Sequence, residues 1–142
     1  MDLTGAELIH RFLDARRPAA QALLLDLRAP GPEALRRLAA ARKLRVPLVA
    51  FARQVPRRSL GGDLAHWRDR RTFLDTSCRP WFHVGAATEL LQLLPSAYAL
   101  AERSRGPVLL EIPEDVFAER IYGAWIPHLR QTQPDCIELE YA

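Results

Sequence analysis

The sequence predicts an α/β fold: a three-layer α/β/α domain around a short, mainly parallel sheet. The runs AQALLLDL (20–27), VPLVAFA (46–52) and PVLLEIP (Pro107–Pro113) are apolar without strict alternation, as strands covered on both faces should be. Patterns of helical period separate them, and the links are short. Strand, helix, strand with short links implies a parallel crossover of right-handed sense.

The chain opens with LTGAELIHRFLDARR, where Thr4 and Glu7 form a capping box and Leu8, Ile9, Phe12 and Leu13 recur at helical spacing. Residues 22–26 read as a buried strand and 28–32 as the turn into a second helix. That helix spans Pro32–Leu44, with Pro32 in its first turn, Glu33 near its positive end and Arg42, Lys43 and Arg45 near its negative end. Its apolar stripe is Ala34, Leu35, Leu38, Ala41 and Leu44. The next strand is placed at 46–52. Within 53–84, DLAHWRDRRTFL reads as a helix and WFHV as a short extended segment. Thr88 is expected to cap a helix through Glu102, which either kinks at Pro95 or restarts there. PVLLEIP is the third buried strand.

A chain of 142 residues with 49% hydrophobic content suits one compact domain. Residues 1–116 are assigned to it, and 117–142 to a tail that packs on the domain or on a partner. Twenty Lys and Arg against 17 Asp and Glu give a net charge of only +3, which does not by itself call for nucleic acid or an anionic membrane. Cys78 and Cys136 form neither a disulfide framework nor a metal-ligand spacing, so a reducing cytoplasm is expected. No apolar run approaches the length of a membrane span.

Few motifs carry chemistry. The turn APGPE (29–33) leaves a strand and opens a helix, a geometry that exposes backbone N–H groups, yet it matches no phosphate-binding fingerprint. Arginines cluster at 16–17, 36–37, 57–58 and 68–71, but they are scattered and interrupted by acids, which reads as a solvated surface. His10, His66, His83 and His128 lack zinc-site spacing, and no serine stands in a hydrolase elbow. Glu111 lies near the end of the third strand, where such folds place ligands. Glu114 and Asp115 read as carboxylates at a helix start, facing solvent.

Taken together, LTGAELIHRFLDA, RAPGPEALRRLAAARKLRVPLVAFARQVPRRSLGGD and AYALAERSRGPVLLEIPEDV resemble the N-terminal, pyrimidine-binding domain of thiamine-diphosphate-dependent enzymes of the acetolactate synthase and benzoylformate decarboxylase type. The first is similar to the opening helix. The second is similar to the serine-glycine-proline-glycine loop, helix, strand and glutamine-valine-proline segment, and the third to the closing helix and strand. The resemblance implies a thiamine-diphosphate-binding fold, here truncated. In the family this domain holds the aminopyrimidine ring, while a partner chain supplies the diphosphate and magnesium domain. Carried over by resemblance, Arg28, Ala29, Pro30, Gly31 and Gln54 are the relics of that cofactor face.

The chain departs from the pattern. Arg28 stands where the family has serine and Ala29 where it has glycine, while Pro30 and Gly31 are retained. Between the opening helix and the loop strand only RRPAAQ remains, so the strand bearing the family's catalytic glutamate is missing and no catalytic residue is assigned. The expectation is a domain without catalysis of its own, acting as a structural or regulatory partner of a thiamine-dependent enzyme. Such a chain would form a homodimer or a hetero-oligomer, with thiamine diphosphate and magnesium entering only with the partner. The alternatives are a small subunit of a split 2-oxo acid decarboxylase or acetolactate synthase-like enzyme, and an arginine-rich nucleic-acid binder.

Overall fold

The structure is a computed structural model that describes residues 2–59 and 80–122. Its elements are β1 (Leu3–Thr4), α1 (Gly5–Arg16), β2 (Gln21–Asp26), α2 (Pro32–Leu44), β3 (Leu48–Gln54), a 3-10 turn (Arg57–Ser59), β4 (Trp81–His83), a second 3-10 turn (Ala87–Glu89), α3 (Leu90–Ser104), β5 (Pro107–Pro113), α4 (Glu114–Ala118) and β6 (Arg120–Ile121). The helix expected within DLAHWRDRRTFL and the tail beyond Tyr122 lie outside the described residues.

The main sheet has four parallel strands in the order β2-β3-β5-β4. Along that order β2→β3 and β4→β5 run in opposite directions, so two right-handed crossovers must place their helices on opposite faces. The cores agree. Leu38 and Ala41 of α2 pack on Leu23, Leu25, Leu48, Ala50, Ala52 and Leu109. Residues of α1 and α3 pack on Val49, Phe51, Val108, Leu110 and Ile112. The alternation along β3 and β5 therefore splits each strand between two apolar layers, which is why neither showed a polar face in the sequence. This is a three-layer α/β/α arrangement, accompanied by a separate antiparallel ribbon of β1 and β6.

Local signals set the helix ends. The Thr4–Glu7 capping box is present in both directions, and Pro32 sits in the first turn of α2. The three long helices end on Arg17, Arg45 and Arg105 in the left-handed region (φ 42°, 58° and 53°). Each returns its N–H to a carbonyl of the last turn: Leu13, Ala41 and Ala101. An arginine there bears a Cβ strain that glycine would avoid. At Gly5 a side chain is excluded, because a Cβ would collide with the backbone carbonyl of Val116.

Several expectations are corrected. The second main-sheet strand is Leu48–Gln54 rather than 46–52: Val46 N–H instead closes α2 by bonding the Ala41 carbonyl. Thr88 caps nothing; it lies inside the turn Ala87–Glu89, and α3 starts at Leu90. No new helix starts at Pro95: of the two alternatives the restart is excluded, because α3 runs continuously from Leu90 to Ser104, with Pro95 itself buried. As for the segment after residue 116, α4 continues to Ala118 and Ile121 is buried in the same core as α1 and α3.

Candidate functional site

The carboxyl ends of the parallel strands form the edge where α/β folds gather functional groups. Two groups of polar side chains lie there, and a turn after β2 forms a third feature.

The first group is His83 with Glu111. These residues are register partners on β4 and β5, so their side chains leave the same face of the sheet, the one that carries Leu109 and α2. Glu111 is fully buried, while the His83 side chain remains 38% exposed. The two are hydrogen-bonded through His83 Nδ1 and Glu111 Oε1. With Glu111 ionised, its oxygens only accept, so Nδ1 must carry the proton and Nε2 is left as the acceptor when the ring is neutral. Burying a carboxylate is costly unless it is matched. Glu111 is the one buried carboxylate among the described residues.

The second group is centred on Arg57. Its backbone N–H and Nε donate to Asp115 at 3.0 and 2.8 Å, Nη1 donates to the Gly85 carbonyl at 2.9 Å, and Nη2 donates to Glu119. Glu119 also accepts from Ala87 N–H at 2.8 Å, and Gly85 N–H donates to Glu89 at 2.7 Å. The loop leaving β4 is thus tied to α4 and to the turn after β3, which holds the strand of His83 in place. Arg53 pairs with Glu114 beside it. Burial alone would raise the Asp115 carboxyl, but the side-chain and backbone hydrogen bonds from Arg57 outweigh it and hold that carboxyl below its ordinary value. The same bonds, first to Asp115 and then to Glu119, raise Arg57. Glu114 and Asp115 do open a helix, as the sequence implied, but they are arginine ligands rather than free solvent-facing acids.

Of the residues carried over by resemblance, 28–31 follow the outer strand β2, while Gln54 ends the inner strand β3 beside β5. Arg28 N–H donates to Asp26 Oδ1 at 2.9 Å, its guanidinium lies 3.5 Å from the same carboxylate, and Ala29 N–H bonds the Asp26 carbonyl at 3.2 Å. The turn satisfies itself. Gly31 is the extended N-cap of α2, with no side-chain cap and open space where a Cβ would stand. Gln54 is buried, and its Oε1 accepts the N–H of Val55 at 2.8 Å. Gln54 and the Pro30 turn end neighbouring strands, so the fold does bring them to one edge.

Glu111 stands one strand and two register positions from Gln54, since it pairs with Ala52 while Gln54 pairs with Pro113, but it does not reach the Pro30 turn. Strands lie about 4.8 Å apart, which places β5 about 10 Å and β4 about 14 Å across the sheet from β2. An aminopyrimidine ring needs a positioned acid and apolar walls. At Pro30 the structure offers a turn closed on Asp26 and open space beside Gly31, so these residues do not fit the ring by themselves.

Sequence reasoning picked out Glu111 and His83 singly and missed their pairing. The signal was a lone acid inside PVLLEIP, but its partner stands 28 residues away and only sheet register brings it close. His66, His128, Cys78, Cys136 and the arginines at 68–71 lie outside the described residues. Among the described residues no group of three His, Cys, Asp or Glu side chains could hold a metal ion, and no helix is long and apolar enough to cross a membrane. A scan against models of protein families finds no match to this chain, and a search of curated proteins finds none.

Proposed function

We propose that this chain is a shortened relative of the pyrimidine-binding domain of thiamine-diphosphate-dependent enzymes, without catalysis of its own, serving as a structural or regulatory partner of such an enzyme. One observation carries the reading: among the described residues β2, the strand after the shortened RRPAAQ link, is an open edge of the parallel sheet, with Leu24 71% exposed at its middle. A domain that has lost the strands flanking β2 would present such an edge to another chain. The separation of the buried carboxylate from the Pro30 turn further supports a domain that does not activate the cofactor, since activation needs a proton donor at the ring.

Calorimetric titration tests the proposal. The purified chain should give no heat of binding with thiamine diphosphate and magnesium, whereas its addition to a thiamine-dependent enzyme from the same cells should form a complex resolved by sedimentation. Micromolar cofactor binding by the lone chain overturns the proposal. So does turnover of a 2-oxo acid by a reconstituted pair that needs this chain for chemistry, which would make it the small subunit of a split enzyme. Nucleic-acid binding is disfavoured because Arg28, Arg36, Arg53 and Arg57 are each paired with a carboxylate.

A further inference from the structure

The pair of His83 and Glu111 uses one ring nitrogen and leaves the other. Nδ1 is held by the buried carboxylate, and that is the hydrogen bond His83 makes among the described residues. With the proton on Nδ1, the lone pair of Nε2 lies on the far side of the ring from Glu111. The Glu111 side chain is shut off from water while that of His83 is 38% exposed, so the imidazole is the accessible part of the pair. The backbone that follows is tied down: Val84 N–H donates to the Glu111 carbonyl at 2.8 Å, and Arg57 Nη1 donates to the Gly85 carbonyl at 2.9 Å.

A lone pair fixed in this way can take up an electrophilic group. An acyl group would also need two N–H donors aimed at its oxyanion. In the loop beside His83 the N–H groups of Val84, Gly85 and Ala87 are already donated, to Glu111, Glu89 and Glu119, so residues 84–87 lack that pair. A phosphoryl group asks less of its acceptor. Its transfer passes through a loose, in-line transition state that is governed by positioning and charge rather than by covalent work from the protein. As Nε2 bonds to phosphorus the ring becomes cationic, and its Nδ1 proton faces a carboxylate already buried there to meet it.

We propose that His83 Nε2 is a phosphoryl-acceptor site, with Glu111 as its positioning residue and a phosphoramidate as the class of donor. The Nε2 lone pair attacks phosphorus, the donor's P–N bond breaks, and its electron pair leaves on the protonated nitrogen as a neutral amine. Nδ1 keeps its proton, so the product is an Nε2-phosphorylated imidazolium paired with Glu111. One P–N bond replaces another, so the exchange needs no further source of energy. This inference does not depend on the family reading, and a stoichiometric modification asks for no catalysis by the chain itself.

Treatment of the folded full chain with phosphoramidate tests it, with His10 on the exposed side of α1 as the internal control. Site-resolved mass spectrometry should show His83 phosphorylated about tenfold faster than His10, and phosphorus NMR should show the Nε2 isomer at His83. Glu111→Gln keeps an acceptor for the Nδ1 proton but removes the charge. It should slow His83 about tenfold while leaving the rate at His10 and the isomer at His83 unchanged. His83 reacting no faster than His10 overturns the proposal, as does the Nδ1 isomer at His83. Both of those readings come from the unaltered chain, so they decide the matter even where the variant does not fold. A folded Glu111→Gln chain that reacts as fast as the unaltered one also overturns it, since the carboxylate would then contribute nothing.

Discussion

At the β4 edge of the sheet the polar groups are matched to one another around a buried Glu111, whereas at the β2 edge the apolar Leu24 is exposed among the described residues. His83 holds Glu111, and the loop that follows is fastened by Arg57, Glu89 and Glu119, the farthest of them 32 residues away in sequence. At β2 the comparable bonds are local: among the described residues beyond the strand, Asp26 serves Arg28 and Ala29. One edge is finished by long-range polar contacts, the other by a two-residue turn. A finished edge resists change, while an unfinished one is where a further strand can enter.

Removing the imidazole should break this contrast most strongly. His83→Ala takes a hydrogen bond from a buried carboxylate, and urea denaturation should show a loss of about 1.5 to 3 kcal/mol. The His83→Asn variant, whose amide can still donate to Glu111, should recover part of that loss.

Arg57→Ala should cost less, about 1 to 2 kcal/mol, because its partners remain partly hydrated. Its more telling signature is pH dependence. The Asp115 carboxyl is held below its ordinary value of 3.8, so its contribution is complete above that value and is lost as pH falls through the lower folded value. The unaltered chain should therefore lose more stability than Arg57→Ala below about pH 4. Parallel acid-denaturation curves would remove Asp115 from the brace.

Tyr98→Phe probes the layer behind the open edge. The Tyr98 hydroxyl is buried without a hydrogen-bond partner among the described residues, and burial pushes its ionisation up to about 12. Deleting that hydroxyl should be neutral or stabilise by up to about 1 kcal/mol, read as a rise in thermal midpoint. A clear loss would mean that the hydroxyl is satisfied in solution. The smallest effect is expected at Leu24→Ser, within about 0.5 kcal/mol, because so exposed a side chain contributes little packing. A loss above 2 kcal/mol would show that Leu24 is covered.

How much was legible in the sequence follows from the range of each interaction. Thr4 and Glu7 are three residues apart, and their capping box formed as read. Pro32–Leu44 and Pro107–Pro113 were placed to the residue because proline and the apolar period act locally. Thr88 misled because a capping residue is also a good turn residue, and the turn Ala87–Glu89 took it. The β1–β6 ribbon could not be read, since each strand is two residues long and its partner lies at the other end of the described chain. The carboxylate of Asp115 looked like a helix-end charge, and only the approach of the turn after β3 turned it into a ligand of Arg57.

The sequence by itself determined the layered α/β/α class, the inner apolar strands β3 and β5 and the N-terminal cap of the first helix, because propensity, periodicity and capping act within a few residues; the run at 22–26 was read as equally buried and is instead an outer strand with Ala22 and Leu24 exposed. Only the tertiary structure decided that Glu111 is fully buried against His83, that Arg57 gathers Asp115, Glu119 and Gly85, and that β2 is an edge among the described residues, with Leu24 exposed. Those outcomes depend on strand order and register, which bring together residues far apart in the chain, and no local pattern encodes which strand will have no neighbour.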